Sequence, residues 1–403
     1  MNKSSQKHPV AEVFRTFIKL GVTSFGGPVA HIGYFHKELV ERKRWVSEDQ
    51  FSQLLAICQF LPGPASSQLG FALGLLRAGW LGAIVAFLAF TLPSALLLLG
   101  FASALSLISG SVGDAAIHGL KLVAFAVVAD AVWGMSKKLC PDMLRRSVAL
   151  LAACALLLMG AAWSQILVVL AGAVIGLMFC REPSASDSYN IRVGYSQRVG
   201  IIIFSIFILL LAAFVFVPGG QQGLYSLAGA FYRAGALVFG GGHVVLPLLE
   251  DSIVNSGWIT QESFLAGYGA SQAIPGPMFA FSSYLGAIIP TGYSSGLGAL
   301  IALIFMFLPG FLLIAAVLPI WQAISGSEKA VNAIAGVNAA VVGVLGAALY
   351  DPIFTTGITS SYDLAIALVA LGMLAIWRLS PLYVVLWCVV ASVAFSAVPT
   401  LLL

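Results

Sequence analysis

Charge is the scarcest commodity in this 403-residue chain: Asp, Glu, Lys and Arg together make up 9% of it, whereas an ordinary soluble domain carries about 25%. So few charges cannot clothe a surface that meets water on every side, which excludes a soluble enzyme and a nucleic-acid-binding protein. Cysteine is nearly as uninformative. The five residues Cys58, Cys140, Cys154, Cys180 and Cys388 show no CxxC or CxxH spacing, so neither a disulfide framework nor a zinc site is expected, and no redox pair or cofactor motif is present. Neither a metal nor a cofactor is therefore expected. The first apolar stretch contains Lys19 and ends at Gly26-Gly27-Pro28 without a small-residue cleavage site, so a cleaved signal peptide is not expected.

What remains is apolar: 60% of the chain falls in the AVILMFWYC set. It is distributed over thirteen segments, several shorter than the roughly 20 residues that a full span needs. The expected class is an all-α polytopic membrane protein, with the lipid bilayer as its first partner. The clearly polar mid-chain stretch, REPSASDSYNIRVGYSQR from Arg181 to Arg198, divides it. The expected organisation is a first transporter repeat over 1–180, a cytoplasmic linker over 181–199, an extra inverting helix over 200–221 and a second repeat over 222–403.

The halves repeat each other. Phe25-Gly26-Gly27, Trp45, Phe51, Gln59 and Pro62-Gly63-Pro64 recur as Phe239-Gly240-Gly241, Trp258, Phe264, Gln272 and Pro275-Gly276-Pro277, at offsets of 213 or 214 residues. Leu92-Pro93 recurs as Leu308-Pro309, and AIHGLKLVAFAVV from Ala116 as AIAGVNAAVVGVL from Ala333.

The basic residues say how the halves are oriented, because short cytoplasmic loops are enriched in Lys and Arg. Of the 20, 17 precede residue 199. Lys37, Arg42, Lys43, Arg44, Arg77, Lys137, Lys138, Arg145 and Arg146 mark loops whose second-half counterparts carry none, while Lys329 and Arg378 mark counterparts of uncharged first-half loops. Equivalent loops have exchanged sides. This is an inverted-topology repeat, a common plan for secondary transporters, with the N-terminus cytoplasmic and the C-terminus periplasmic. The Gly/Pro-broken segments leave two counts open: nine spans with four re-entrant hairpins, or thirteen spans.

Irregular backbone at membrane depth is tolerated where it lines a cavity or is buried in protein. Four breaks, FGGP at Phe25, LPGP at Leu61, FGGG at Phe239 and IPGP at Ile274, therefore point to one central site. A helix restarting after a break offers free amides and a positive dipole end to an anion. Gly26, Gly27, Gly63, Gly240, Gly241 and Gly276 form the breaks. His31, Ser66, Ser67 and His243 follow them, and Gln59 and Gln272 precede them. Intramembrane charges are functional candidates by default. Lys19 and Arg233 are repeat mates six residues before their FGG motifs, and Lys121 lies seven residues into its own segment. These are the expected substrate ligands, and rocking of the two halves the expected motion. Asp130, Glu38 and Asp251 are the candidate coupling carboxylates.

The motifs SFGGPVAHIGYFHKELV and QFLPGPASSQ, paired with VFGGGHVVLPLLE and SQAIPGPMFAF, resemble the chromate ion transporter family in its long, fused form. The resemblance covers nearly the whole chain. It implies efflux of chromate, with sulfate as the similar oxyanion, across a bacterial inner membrane, driven by an ion gradient and conferring chromate resistance. Pro28 has Gly242 as its mate, so the halves need not contribute equally. The alternatives are a proton-coupled sulfate importer and an anion channel. A homodimer of the chain is compatible with either reading.

Overall fold

The computed structural model describes residues 9–105, 110–159, 164–181, 193–215, 223–239, 242–321 and 327–401. Among the described residues there is no strand, and five helices are long and apolar enough to cross a membrane: Ala65–Leu105, Ser111–Leu139, Gln197–Val215, Ser295–Ile320 and Glu328–Gly357.

The first half opens with two helical hairpins that enter and return on one face. Helix α1 (Pro9–Thr23) stops at the break, and α2 (Gly27–Phe35) runs on as a wide turn to Arg42. Gly26 and Gly27 have φ of 100° and 74°, the left-handed region where a side chain is disfavoured. Antiparallel pairing of the arms is fixed by charges: Lys19 Nζ lies 3.3 Å from Glu38, and Glu12 near the start of α1 meets Lys43 at 3.5 Å. Helix α3 (Glu48–Phe60) starts on that face with a capping box between Ser47 and Gln50 and ends at the first PGP, where Gly63 has φ 121°. Helix α4 (Ala65–Leu105) is bent back on itself at Ala78–Gly79, with Gly79 at φ 66°. Its first arm therefore returns to the starting face, where Arg77 bonds Glu12 at 2.7 Å and lies over the Trp45 ring. The start of α1, the 43–47 loop and the end of the first arm of α4 thus share one face, and both first-half hairpins are re-entrant. We call this the basic face.

The second arm of α4 crosses the membrane, and α5 (Ser111–Leu139), α6 (Met143–Met159) and α7 (Ser164–Phe179) follow. Helix α8 (Gln197–Val215) leads into α9 (Leu224–Leu237), α10 (Val245–Ile253), α11 (Gln261–Ser271), α12 (Phe281–Ile288) and α13 (Ser295–Val317). Helices α11 and α12 again pair antiparallel: the Tyr284 hydroxyl donates to the Ser263 carbonyl at 2.8 Å, and the Tyr284 ring fills the space over Gly267. The reversal between α12 and α13 brings Gly286 against Gly298, as Gly74 meets Gly82 in α4. Inversion is visible directly. Trp80, where α4 begins its crossing, packs tilted against the Tyr195 ring at 5.1 Å, and the same Tyr195 hydroxyl donates to the Ala315 carbonyl near the end of α13 at 2.6 Å. The crossing arm of α4 leaves the basic face and its mate α13 arrives there.

The remaining helices, α14 (Glu328–Ala348), α15 (Ser361–Ala375) and α16 (Pro381–Leu401), interlock with the first half. Helix α5 is covered by α15 and α16: His118 bonds Asp363 at 2.8 Å, Ser392 donates to the Ala115 carbonyl at 2.7 Å, and a Cβ on Gly119 would lie 2.7 Å from the Cys388 carbonyl. Helix α14 is covered by α6 and α7, with Gly336 against Gly172 and Gly176, and Gly343 against Ala149. Lipid is as apolar as leucine, so helices associate in it through close backbone approach, which small residues allow.

Candidate functional site

The four breaks meet in crossed pairs. The amide of Gly63, in the PGP of the first half, donates to the Val238 carbonyl beside the FGG of the second at 2.7 Å. The amide of Gly276, in the second PGP, donates to the Ser24 carbonyl beside the first FGG at 2.9 Å. Each PGP glycine also abuts the residue after a helix proline: a Cβ on Gly63 would be 3.0 Å from Gly310 Cα, and one on Gly276 would be 2.8 Å from Ser94 Oγ. Gln68 reinforces the first crossing, its Nε2 donating to Pro62 and Gly310 carbonyls at 2.9 and 3.0 Å.

The opening turns of α2 and α4 converge beside this crossing. His31 is 1% exposed, and its Nδ1 lies 3.4 Å from Ser66 Oγ. Its ring packs edge-on against Phe90 at 5.3 Å, and Phe90's carbonyl lies 3.3 Å from where a Cβ on Gly276 would stand. On the segments that meet at the two crossings, Ser24 Oγ, His31 Nε2, Ser67 Oγ, Gln68 Oε1 and Thr91 Oγ1 are buried without a hydrogen-bond partner. An unmet buried polar atom costs about 1–3 kcal/mol, so a cluster of five marks a place built for something other than stability. At the positions equivalent to the four hydroxyl residues the second half carries no donor side chain. The repeat mates of Ser24, Ser66, Ser67 and Thr91 are Val238, Phe279, Ala280 and Phe307, and the rings of Phe279 and Phe307 pack 6.0 Å apart.

A cavity of about 440 Å³ opens on the basic face and reaches the site's edge; Lys19, Lys37 and Arg42 outnumber Glu38 and Glu41 along it, with Tyr34 and with Thr23, next to Ser24, also on its wall. Its counterpart on the opposite face, about 220 Å³, is lined by the carboxyl groups of Glu250, Asp251 and Asp351 and by no Lys or Arg. Glu250 and Asp251 are the mates of Lys37 and Glu38.

The other sequence candidates are dispersed around this centre. The Lys19 side chain, 52% exposed, stands in the basic cavity bonded to Glu38. Arg233 donates to the Phe214 carbonyl at 2.6 Å, within Coulombic range of Asp251. Lys121 bonds Glu262 at 3.0 Å, joining α5 to α11. His243 bonds the Tyr268 hydroxyl at 2.5 Å. The Gln272 amide turns back on Ser271 and Tyr268 at its own helix end, whereas Gln59 is exposed. Asp130 lies partly buried on α5. Gly240 and Gly241 fall outside the described residues. Ser24 and Thr91 were not singled out from sequence; the signal for Ser24 was its place in SFGG opposite a valine in VFGG, a comparison that needs the repeat alignment read for differences.

An all-α membrane protein built as an inverted repeat of broken-helix hairpins, with orphaned donors where the breaks cross, is the architecture of a membrane transporter. Comparison with known proteins supplies the family. The profile described as Chromate transporter matches residues 11–177 and 225–393, and the chain belongs to that family. It is 28% identical over 414 residues to the probable chromate transport protein of Synechococcus elongatus, covering 96% of this chain and 97% of that protein. With the chromate transport protein of Pseudomonas aeruginosa it shares 29% identity over 345 residues, 84% and 80% of the two chains, and with that of Cupriavidus metallidurans 28% over 367 residues, 89% and 86%. No solved structure matches it. Family membership supports chromate transport as the activity.

Proposed function

We propose that the protein is a secondary transporter that exports chromate across the bacterial inner membrane and so confers resistance to it, with the basic face cytoplasmic. The observation that carries the reading is the convergence of the α2 and α4 N-termini on buried, unpartnered donors beneath a basic cavity. A dianion attracted by Lys19, Lys37 and Arg42 meets two positive helix ends at the floor. Lys43, Arg77, Lys137 and Lys138 set the orientation by their enrichment on one side, which leaves the C-terminus periplasmic.

Direction is supported by the charge of the two cavities. A basic entrance concentrates an oxyanion on the cytoplasmic side, and an acidic exit disfavours its return. The membrane potential, negative inside, adds about 2.3 kcal/mol per charge per 100 mV to outward movement of net negative charge. Glu38, Asp130 and Asp251 are the carboxylates available for coupling to a counter-ion, as an antiporter would require, and sulfate is the natural competitor.

The test is chromate uptake into inverted and right-side-out membrane vesicles, with and without an imposed potential and with sulfate as competitor. Accumulation in inverted vesicles, enhanced by an interior-positive potential, is expected. Accumulation confined to right-side-out vesicles would establish uptake instead, and flux orders of magnitude above carrier rates would establish a channel.

A further inference from the structure

We propose that the transported oxyanion takes its side-chain ligands from the first half alone: the hydroxyls of Ser24, Ser67 and Thr91 and Nε2 of His31, with Ser66 holding the imidazole. The inference rests on the transport reading above and names the residues that recognise the substrate within it.

Each of these groups is 4% exposed or less, and each of the four named atoms lacks a partner. They come from three helices, α4 contributing from both of its arms. Ser24 ends α1, and its carbonyl holds Gly276. His31 lies in the first turns of α2 and contacts Ser66. Ser67 is the third residue of α4, and Thr91 follows the Phe90 against which His31 packs. Chance distribution of unmet hydroxyls along an apolar chain would favour neither half. Yet the four first-half positions Ser24, Ser66, Ser67 and Thr91 face valine, phenylalanine, alanine and phenylalanine at their second-half mates. The repeat has kept the backbone crossing on both sides and the donors on one.

The chemistry suits a tetrahedral dianion. Its four oxygens only accept hydrogen bonds, and hydroxyls free to rotate can all turn their protons inward. If the Ser66 hydroxyl donates to Nδ1 of His31, the imidazole proton sits on Nε2, which meets no partner in good hydrogen-bond geometry although the ring lies close to the Ser24 carbonyl, and is available as a further donor. Neutral donors backed by two helix dipoles bind a dianion while still letting it leave, as transport requires. Fixed cations remain in the cavity above, where they attract without trapping.

Two readouts on full-length protein, purified and in proteoliposomes, separate a ligand role from a structural one. In Ser24→Ala, Ser67→Ala and Thr91→Val, deletion of an unmet buried hydroxyl should leave the anion-free Tm unchanged or raised. The same variants should raise the KM for chromate about tenfold or more, with the maximal rate retained, and should lose the rise in Tm that added chromate or sulfate produces in the wild type. Val238→Ala, Ala280→Gly and Phe307→Leu should keep KM within about twofold. The proposal is overturned if the first-half variants lower the anion-free Tm and leave KM unmoved, or if the second-half variants raise KM equally. Failure of the export reading looks different: wild-type vesicles would move no chromate, while sulfate-dependent stabilisation, and its loss in Ser24→Ala, would still report on the ligand set.

Discussion

The amide of Gly63 reaches across the molecule to the carbonyl of Val238 at 2.7 Å, and 213 residues later Gly276 repeats the bond to Ser24 at 2.9 Å. The two bonds are related by the pseudo-twofold of the repeat, and neither lies within a single half. The proposed substrate site is thus held together by the seam between halves.

Substitution at either glycine tests the seam. Gly63 and Gly276 have φ of 121° and 94°, where a side chain costs roughly 1–2 kcal/mol, and both have neighbours within 3.0 Å of the new methyl. Gly63→Ala and Gly276→Ala should each lower Tm and abolish chromate transport. Wild-type turnover in either would mean that the crossing is dispensable.

Lys19 stands in the basic cavity, above the proposed ligands. Lys19→Gln should raise the KM for chromate severalfold at low ionic strength, and the difference from wild type should shrink as salt rises, because exposed charges are screened over about 8 Å at physiological salt. A salt-independent loss of maximal rate would place Lys19 on the substrate instead.

Helix α11 is docked on α5: Gly269 abuts the Leu120 carbonyl, and Lys121 bonds Glu262. The corresponding edge of α3, with Ser52, Ala56 and Gln59, is exposed. The asymmetry predicts a water-filled crevice along α3. Ser52→Cys and Ala56→Cys should react with a membrane-impermeant maleimide from the cytoplasmic side, and Gly269→Ala should disrupt the α5 contact. Labelling from the periplasm alone would invert the proposed orientation.

The Lys121–Glu262 pair offers a direct test of movement at that contact. A Lys121→Cys/Glu262→Cys protein bridged by a bifunctional methanethiosulfonate, whose length replaces the long side chains that a direct disulfide could not, should lose chromate turnover and regain it on reduction. Undiminished transport by the crosslinked form would show that α11 stays on α5 throughout the cycle.

Much of this was legible in the sequence. The offset of 213 residues located every break, and the loop charges gave the inversion before any coordinates, because both follow from local rules: Gly and Pro interrupt helices, and basic loops stay cytoplasmic. Whether 14–34 and 51–76 cross or return was not legible, since an apolar segment of intermediate length satisfies either. Glu12, bonded to Arg77 and Lys43 and to the Trp45 indole at 3.1 Å, decides it through contacts 31 to 65 residues away that no periodicity encodes. The site was legible in kind but incompletely in membership. His31 and Ser66 were singled out by their place after a break, whereas Thr91 lies inside a long apolar helix with no motif around it.

The covering of α5 by α15 and α16 has a consequence for biogenesis. The sixth and seventh helices to emerge find their partner in the fourteenth, and α5 waits for the last 43 residues of the chain. The N-terminal half therefore leaves the ribosome with its long helix bare, and assembly closes only once α15 and α16 have been made. A truncation after Gly357 should harm the first half as much as the second, exposing Gly119 and His118 to lipid, and the two halves made as separate chains should be stable only when they are made together.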